Sequence, residues 1–306
     1  MTSASGGAIA CPPPDPHPRT PHYKVPAYAC DCHAHVIGPA AQYPFVADRS
    51  YTPPDALLAD YLHMLKVIGI QRSVLVQPSM HGADNTLMMN AIAATTSTEM
   101  RAVVVVPPDV TDAELSRLHQ GGARGVRLNM IYSGGGVGLA EARTLAERIK
   151  GFGWHLQVLI DVSTIGKTSI FELAALPVPL VVDHMGHFDA GKSNDDKGFR
   201  ALLECTRRGN TWVKLSGANR LTAQEWPYAD VRPLTEALIN AAPGRMVWGT
   251  DWPHTVSKTK MPNDGELVDL LKDWVEDEQV MHRILVENPA ELYCFAPKED
   301  VKRKMQ

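Results

Sequence analysis

Short apolar runs alternate with amphipathic stretches along most of the chain. Eight runs read as strands: Ala29–His35, Ser73–Gln77, Ala102–Val106, Gly125–Asn129, His155–Ile160, Leu180–His184, Trp212–Ser216 and Met246–Asp251. Most are rich in Val, Ile or Leu, as strands buried on both faces should be. Between them, helical periodicity covers Pro54–Ile68, Asn85–Ser97, Asp112–Gln120, Leu139–Gly151, Thr164–Ala175, Lys197–Arg208, Val231–Ala241 and Asp264–Trp274. Pro54 suits a first helical turn, and Thr111 suits an N-cap before Asp112 and Glu114. Gly69, Gly121 and Gly209 stand where helices should stop. Strands alternating with helices imply a parallel sheet with helical crossovers. Eight repeats predict a single-domain α/β fold, a closed (β/α)8 TIM barrel. An open doubly wound sheet is the competing arrangement.

The ends do not share this pattern. Residues 1–27 are proline-rich and poor in aliphatics, which predicts an arm that is disordered or lies across the surface of a barrel spanning 28–297. Residues 298–306 read as a charged tail. The 306 residues carry 30 Lys+Arg against 34 Asp+Glu, so a basic face for nucleic acid is not expected. No apolar run approaches the ~20 residues of a membrane span. The first residues lack a basic segment followed by an apolar one, so no signal peptide is expected. Five cysteines, an odd and small number, fit reduced thiols and a cytoplasmic location. Cys30 and Cys32, one residue apart in a strand, read as core packing. Monomer and homo-oligomer both remain open.

In a barrel, reactive side chains gather at the C-terminal ends of several strands. Polar residues collect there: Asp31-Cys32-His33-Ala34-His35 on the first, Gln77-Pro78-Ser79 after the second, Arg127 and Asn129 on the fourth. They continue with Asp183-His184-Met185-Gly186-His187 on the sixth, Ser216 to Arg220 after the seventh and Gly249 to His254 on the eighth. Strand period two points His33 and His35 to one side. Two imidazoles there can bind a metal or polarise a carbonyl oxygen. Each residue alone has a structural reading. A strand-end histidine often only packs, Asp251 can cap a turn, and Arg127 needs only a carboxylate neighbour. The joint set of His33, His35, His184 and Asp251 favours an active site. His155 opens its strand and should lie at the opposite end as a structural residue.

The spaced set Asp-Cys-His-Ala-His-Val, Arg-Ser-Tyr-Thr-Pro-Pro, Val-Gln-Pro-Ser, Asp-His-Met-Gly and Gly-Thr-Asp-Trp-Pro-His resembles the amidohydrolase superfamily, and within it the 2-pyrone-4,6-dicarboxylate lactonases and related lactone hydrolases. The resemblance runs from about Tyr28 to Phe295. It implies a barrel that hydrolyses a carboxylated lactone, 2-pyrone-4,6-dicarboxylate or a relative, in aromatic-compound breakdown. It also implies roles. His33, His35 and His184 would polarise the scissile carbonyl, and Asp251 would take a proton from the attacking water. Arg127, Arg220, Ser79 and Tyr51 would hold substrate carboxylates, with His187 and His254 as further binding candidates. The chemistry is consistent: fixed donors stabilise a developing oxyanion, and an arginine fork matches a carboxylate. An aspartate serves as base if its pKa is raised enough.

The chain departs from that pattern at three places. Leu159 stands where a tyrosine is expected, Tyr132–Gly136 where a further arginine is expected, and His187 where another arginine is expected. Fewer cations point to a related lactone with fewer or differently placed carboxylates. Neither a fourth-strand lysine nor a late fifth-strand histidine is present, so a binuclear metal site is not expected. A single zinc or manganese on His33, His35, His184 and Asp251 is chemically possible. The resemblance nonetheless implies a reaction that requires no metal, and an adjacent arginine disfavours a cation. A mononuclear-metal hydrolase or decarboxylase is thus the alternative, and a non-catalytic carboxylate-binding barrel a further one. Gly166-Lys167-Thr168 lacks the first glycine of a phosphate loop, and Gly134–Gly136 with Gly138 lacks the last glycine of a dinucleotide fingerprint. No Gly-x-Ser-x-Gly elbow is present.

Overall fold

The computed structural model describes residues 8–131, 138–164, 170–257 and 260–296. The glycine loop 134–136, the segment 166–168 and the tail 298–306 lie outside them. Eight parallel strands form one sheet: β1 (Cys30–Ala34), β2 (Arg72–Val76), β3 (Glu99–Val104), β4 (Ala123–Asn129), β5 (His155–Leu159), β6 (Leu180–Val182), β7 (Thr211–Leu215) and β8 (Met246–Trp248), each paired with its neighbour in chain order. The first and last strands meet just beyond β8. The Asp251 amide donates to the His33 carbonyl at 2.8 Å, and the His35 amide to the Trp252 carbonyl at 2.8 Å. The sheet therefore curls into a barrel, and the open arrangement is not adopted.

Helices α1 (Leu58–Ile68), α2 (Thr86–Ala94), α3 (Asp112–Gln120), α4 (Leu139–Ile149), α5 (Ile170–Ala174), α6 (Lys197–Arg207), α7 (Arg232–Ala241) and α8 (Asp264–Trp274) fill the crossovers. Helix α3 is capped as the sequence indicates, the Thr111 hydroxyl accepting from the Glu114 amide at 3.2 Å. Pro54 lies outside α1, which opens four residues later. Strands β6 and β8 are shorter than the apolar pattern suggests, because the chain turns sharply at their reactive ends. His184, Met185, His187, Asp251, His254 and Val256 all take positive φ. Such conformations cost energy in non-glycine residues and concentrate at functional sites.

The apolar pattern gave no warning of the C-terminal turns Glu278–His282, Arg283–Glu287 and Asn288–Tyr293. They place Leu292, Tyr293 and Phe295 in one cluster with the inward-facing Cys30, Cys32, Val74, Val76, Val103, Val181, Trp212 and Val247. That cluster fills the lower barrel, so Cys30 and Cys32 are packing residues, and all five cysteines are unpaired. His155 sits at this lower end, buried, its ring 5.3 Å from that of Tyr293.

The proline-rich arm, from residue 8 onward, lies across the surface. Its Ile9 and Ala10 pair with Tyr51 and Thr52, and its Arg19, His22 and Tyr23 amides donate to Asn263 and Asp269 at the start and middle of α8. Gly265 lets the arm approach closely, since a Cβ there would stand 1.9 Å from the Arg19 carbonyl oxygen. Among the described residues no helix is long and apolar enough to cross a membrane.

Candidate active site

Along β4, β6 and β7 the strand period turns Arg127, Asp183 and Lys214 toward the barrel axis, and a positive-φ turn after β8 brings Asp251 there. Strand β1 departs from strict alternation. Its register with β2 shifts between Asp31 and Ala34. A bulge of this kind re-aims the residues on either side of it. Asp31 faces outward to helix α1, while Cys32 and His33 both serve the interior. The Asp31 carboxylate accepts from the Tyr61 hydroxyl at 2.9 Å, the Thr250 amide at 2.9 Å, the Thr250 hydroxyl at 2.7 Å and the His33 amide at 3.1 Å. It therefore ties β1 to the chain after β8 at the point where both deliver candidate site residues. Burial raises its carboxyl to about 6 against these hydrogen bonds.

The four groups singled out by sequence converge. Asp251 Oδ1 lies 3.8 Å from His33 Nε2, 4.0 Å from His35 Nε2 and 3.7 Å from His184 Nε2. These separations are too long for hydrogen bonds. They leave room for one atom between the groups. His33 Nε2 and Asp251 Oδ1 are buried with no hydrogen-bond partner among the described residues. Buried polar atoms seldom stay unpartnered, so a polar group belongs between them. His33, His35 and Asp251 have the spacing of metal ligands, and so do His33, Asp183 and His184. Imidazole and carboxylate donors suit a divalent cation such as zinc. His33 is common to both groups.

Second contacts orient each ring. His35 Nδ1 lies 2.7 Å from the Val76 carbonyl, which only accepts, so Nδ1 carries the hydrogen and Nε2 faces the cavity as a lone pair. His184 Nδ1 lies 2.9 Å from the Ser216 hydroxyl, which permits either tautomer. His33 Nδ1 lies 3.3 Å from the buried Lys214 Nζ. Asp183 accepts from Arg127 Nε at 3.0 Å and stands 3.2 Å from His33 Nδ1 and 3.7 Å from Lys214 Nζ.

Electrostatics follow from this packing. Burial depresses the imidazoles, His33 to about 4, His35 to about 3 and His187 to about 4, with His184 well below its ordinary value, so all are neutral at pH 7. Burial raises Asp251, but Arg220 and the imidazoles of His184, His33 and His35 outweigh it and hold the carboxyl far below the carboxylate range. Arg220 Nε donates to Asp251 Oδ2 at 2.5 Å. The raised pKa that a general base needs is therefore not present in the unliganded site.

A narrow cavity of about 30 Å³, well below the usual size of a ligand pocket, opens onto this cluster. Its lining includes His35, His184 and Asp251 and the sequence-predicted Tyr51, Ser79, Arg127, His187 and Arg220. Leu159, one of the positions departing from the resemblance, lines it too, with Thr255 and Val256 from the turn after β8. The Tyr132–Gly136 departure lies outside the described residues. His254 stands apart from this lining, its Nε2 3.0 Å from Asp264 Oδ1. Asp31, Asp183, Lys214, Thr255 and Val256 were missed as site residues from sequence. The first two are part of the quoted motifs, whereas Lys214 sits in a strand that reads as ordinary core.

A family model described as amidohydrolase matches residues 30–295. The chain belongs to the amidohydrolase family. Within that family it is 34% identical over 287 residues to the 4-sulfomuconolactone hydrolase of Hydrogenophaga intermedia, covering 92% of this chain and 94% of the relative. It is 36% identical over 287 residues to the 2-pyrone-4,6-dicarboxylate hydrolase of Comamonas testosteroni, covering 90% and 93%. The D-galactarolactone isomerase of Agrobacterium fabrum is 33% identical over 281 residues, covering 90% and 94%. A crystal structure of an Agrobacterium tumefaciens protein in its apo form superposes with a TM-score of 0.82 at 32% identity, covering 91% of this chain and all of that one.

The depressed imidazoles of this amidohydrolase have a consequence for stability. Unfolded histidine titrates near 6.5. The stability contributed by keeping His33, His35, His155 and His187 neutral is present above pH 6.5 and is lost as pH falls toward 4 and 3. Each such imidazole contributes on the order of 1 kcal/mol per pH unit. Unfolding midpoints in urea should therefore drop steeply between pH 6.5 and 4. The His155→Leu variant, altered far from the cavity, should show a shallower drop; an unchanged slope would contradict this origin.

Proposed function

We propose that this amidohydrolase opens a lactone carrying an anionic substituent, with water as the attacking group. The observation that carries this reading is the convergence of Asp251 Oδ1 with three imidazole Nε2 atoms beside a cavity lined by Arg127 and Arg220. The names of the relatives support it, since all three act on lactones. Arg127, Arg220, Tyr51 and Ser79 bind the substrate's carboxylate or an equivalent anion, with His187 beside them. An arginine fork is matched to such planar anions.

The reaction adds one water across the ring ester. Water oxygen bonds to the carbonyl carbon, and its proton passes to Asp251. The carbonyl oxygen becomes an oxyanion stabilised by an N–H donor from His33 or His184. The ring C–O bond then breaks, and the leaving oxygen takes the proton back from Asp251. The product is a hydroxy acid, whose new carboxyl then releases its remaining proton to solvent. An incoming anion that engages Arg220 competes with its grip on Asp251 and so lifts the carboxyl toward a working base.

We propose further that no metal is required. The Arg220 guanidinium on Asp251 Oδ2 places positive charge next to the position a cation would take at Oδ1. In the competing reading, His33, His35, His184 and Asp251 hold one zinc or manganese, which would act as a Lewis acid on the carbonyl. A panel of 2-pyrone-4,6-dicarboxylate, muconolactones and sugar-acid lactones, run with and without chelator in ¹⁸O-labelled water, tests the whole. The expected result is turnover of an anionic lactone, one labelled oxygen in the product, and no loss with chelator. Product without label would mean isomerisation. Activity lost with chelator and restored by zinc or manganese would establish the metal reading.

A further inference from the structure

Lys214 takes no part in the chemistry proposed above, yet it is fully buried in β7 directly beneath the reactive cluster. Its Nζ donates to the Cys32 carbonyl at 2.8 Å and lies 3.3 Å from His33 Nδ1, within hydrogen-bonding geometry. Burying a cation without compensation is costly, so its neighbours must account for it. Asp183 Oδ1 is 3.7 Å away. The buried Arg127 and Lys214 and the partly buried Arg220 are matched by the buried carboxylates Asp31, Asp183 and Asp251, while the histidines are neutral. The cluster is charge-balanced only with Lys214 as an ammonium.

An ammonium has three donors and no acceptor. A hydrogen bond between Lys214 Nζ and His33 Nδ1 therefore makes Nδ1 the acceptor, and a neutral ring must then carry its hydrogen on Nε2. Asp183 Oδ1 approaches the same Nδ1 at 3.2 Å and competes for it: a ring carrying its hydrogen on Nδ1 would donate there, and Lys214 would lose its acceptor. His35 is in the opposite state, its Nδ1–H held by the Val76 carbonyl.

We propose that Lys214 is a positioning residue that fixes His33 as the Nε2–H tautomer, making His33 a hydrogen-bond donor to the lactone carbonyl and withdrawing it from cation binding. This rests on the lactone-opening reading and says which imidazole supplies the oxyanion donor. It also bears on the metal alternative. Both groups with ligand spacing contain His33. With Nδ1 engaged by Lys214 and Nε2 protonated, His33 offers neither nitrogen.

Neutron diffraction from deuterated crystals of the full chain at neutral pH reads the tautomer directly. The expected result is deuterium on His33 Nε2 and none on Nδ1; deuterium on Nδ1 would overturn the proposal. This measurement is independent of substrate, so it stands even if the lactone panel shows no turnover. In the Lys214→Met variant, Nδ1–H can turn to Asp183 and free the Nε2 lone pair. The variant should lose about 10- to 100-fold in kcat, as for other outer residues that orient a functional histidine. KM should stay within about twofold, because Lys214 does not touch the cavity. Calorimetry with zinc ions alone should show tighter binding to Lys214→Met than to the unaltered chain. Equal zinc affinity in the two folded proteins, or a kcat left unchanged, would count against Lys214 as the residue that sets the tautomer. If the variant does not fold, the neutron result decides alone.

Discussion

Replacing Asp251 with asparagine should lower kcat by at least about 10³-fold, within the range expected when a general base is removed. Asparagine keeps the shape of the side chain and can still accept from Arg220. The tertiary structure and the affinity for an anionic lactone should therefore change little. The check is kcat and KM on the best lactone from the panel, with circular dichroism to confirm folding. Activity near that of the unaltered enzyme would remove Asp251 as base. Asp251 Oδ1 faces all three imidazoles, and its backbone is held in a positive-φ turn that swings the side chain over the barrel axis.

The second large effect concerns Arg220, which serves two groups at once. It is paired with Asp251 Oδ2 and lines the cavity where the substrate anion is proposed to bind. Replacing it with methionine removes a charge-assisted hydrogen bond to the substrate, worth about 1.5–3 kcal/mol. KM should rise roughly 10- to 150-fold. The same change removes the cation that does most to hold the Asp251 carboxyl down. The sign follows directly. With Arg220 gone, Asp251 takes a proton at higher pH, so the acid limb of the kcat/KM profile moves upward. A raised KM with an unmoved acid limb would separate the two roles and leave Arg220 as a binding residue only. An unmoved KM would remove it from substrate recognition.

The fold was legible because each strand announces itself locally. Runs such as Ser73–Gln77 and His155–Ile160 carry the apolar content of strands buried on both faces, and glycines such as Gly69 close the helices between them. Closure of the barrel was expected from the count of repeats, and the hydrogen bonds joining His33 and His35 to Asp251 and Trp252 realise it. The C-terminal turns escaped notice because their burial depends on a barrel floor that exists only after the strands assemble. Short strands were overestimated at β6 and β8. The residues that end them, His184 and Asp251, look like strand continuations until the backbone turns to aim them inward.

The candidate site divides the same way. His33, His35, His184 and Asp251 stood out because polar residues at successive strand ends are unusual in apolar surroundings. Lys214 did not, since it sits mid-strand in a run that reads as ordinary core and belongs to no motif. Its importance comes from β7 standing close enough to β1 for Nζ to reach Cys32 and His33, across 182 and 181 residues of sequence. Whether the Asp251 carboxyl is raised was likewise a matter of surroundings. Burial does push the carboxyl up, but Arg220, with the imidazoles of His184, His33 and His35, brought from three other strand ends, pushes it further down.

By itself, then, the order of residues determined the (β/α)8 architecture, the family and which side chains are chemically eligible, because hydrophobic period and motif spacing are properties of the chain read locally. Protonation states, tautomers and the partner of each charge were decided only by the tertiary structure. They depend on distances of a few ångströms between groups far apart in sequence, and on how completely water is removed from around them.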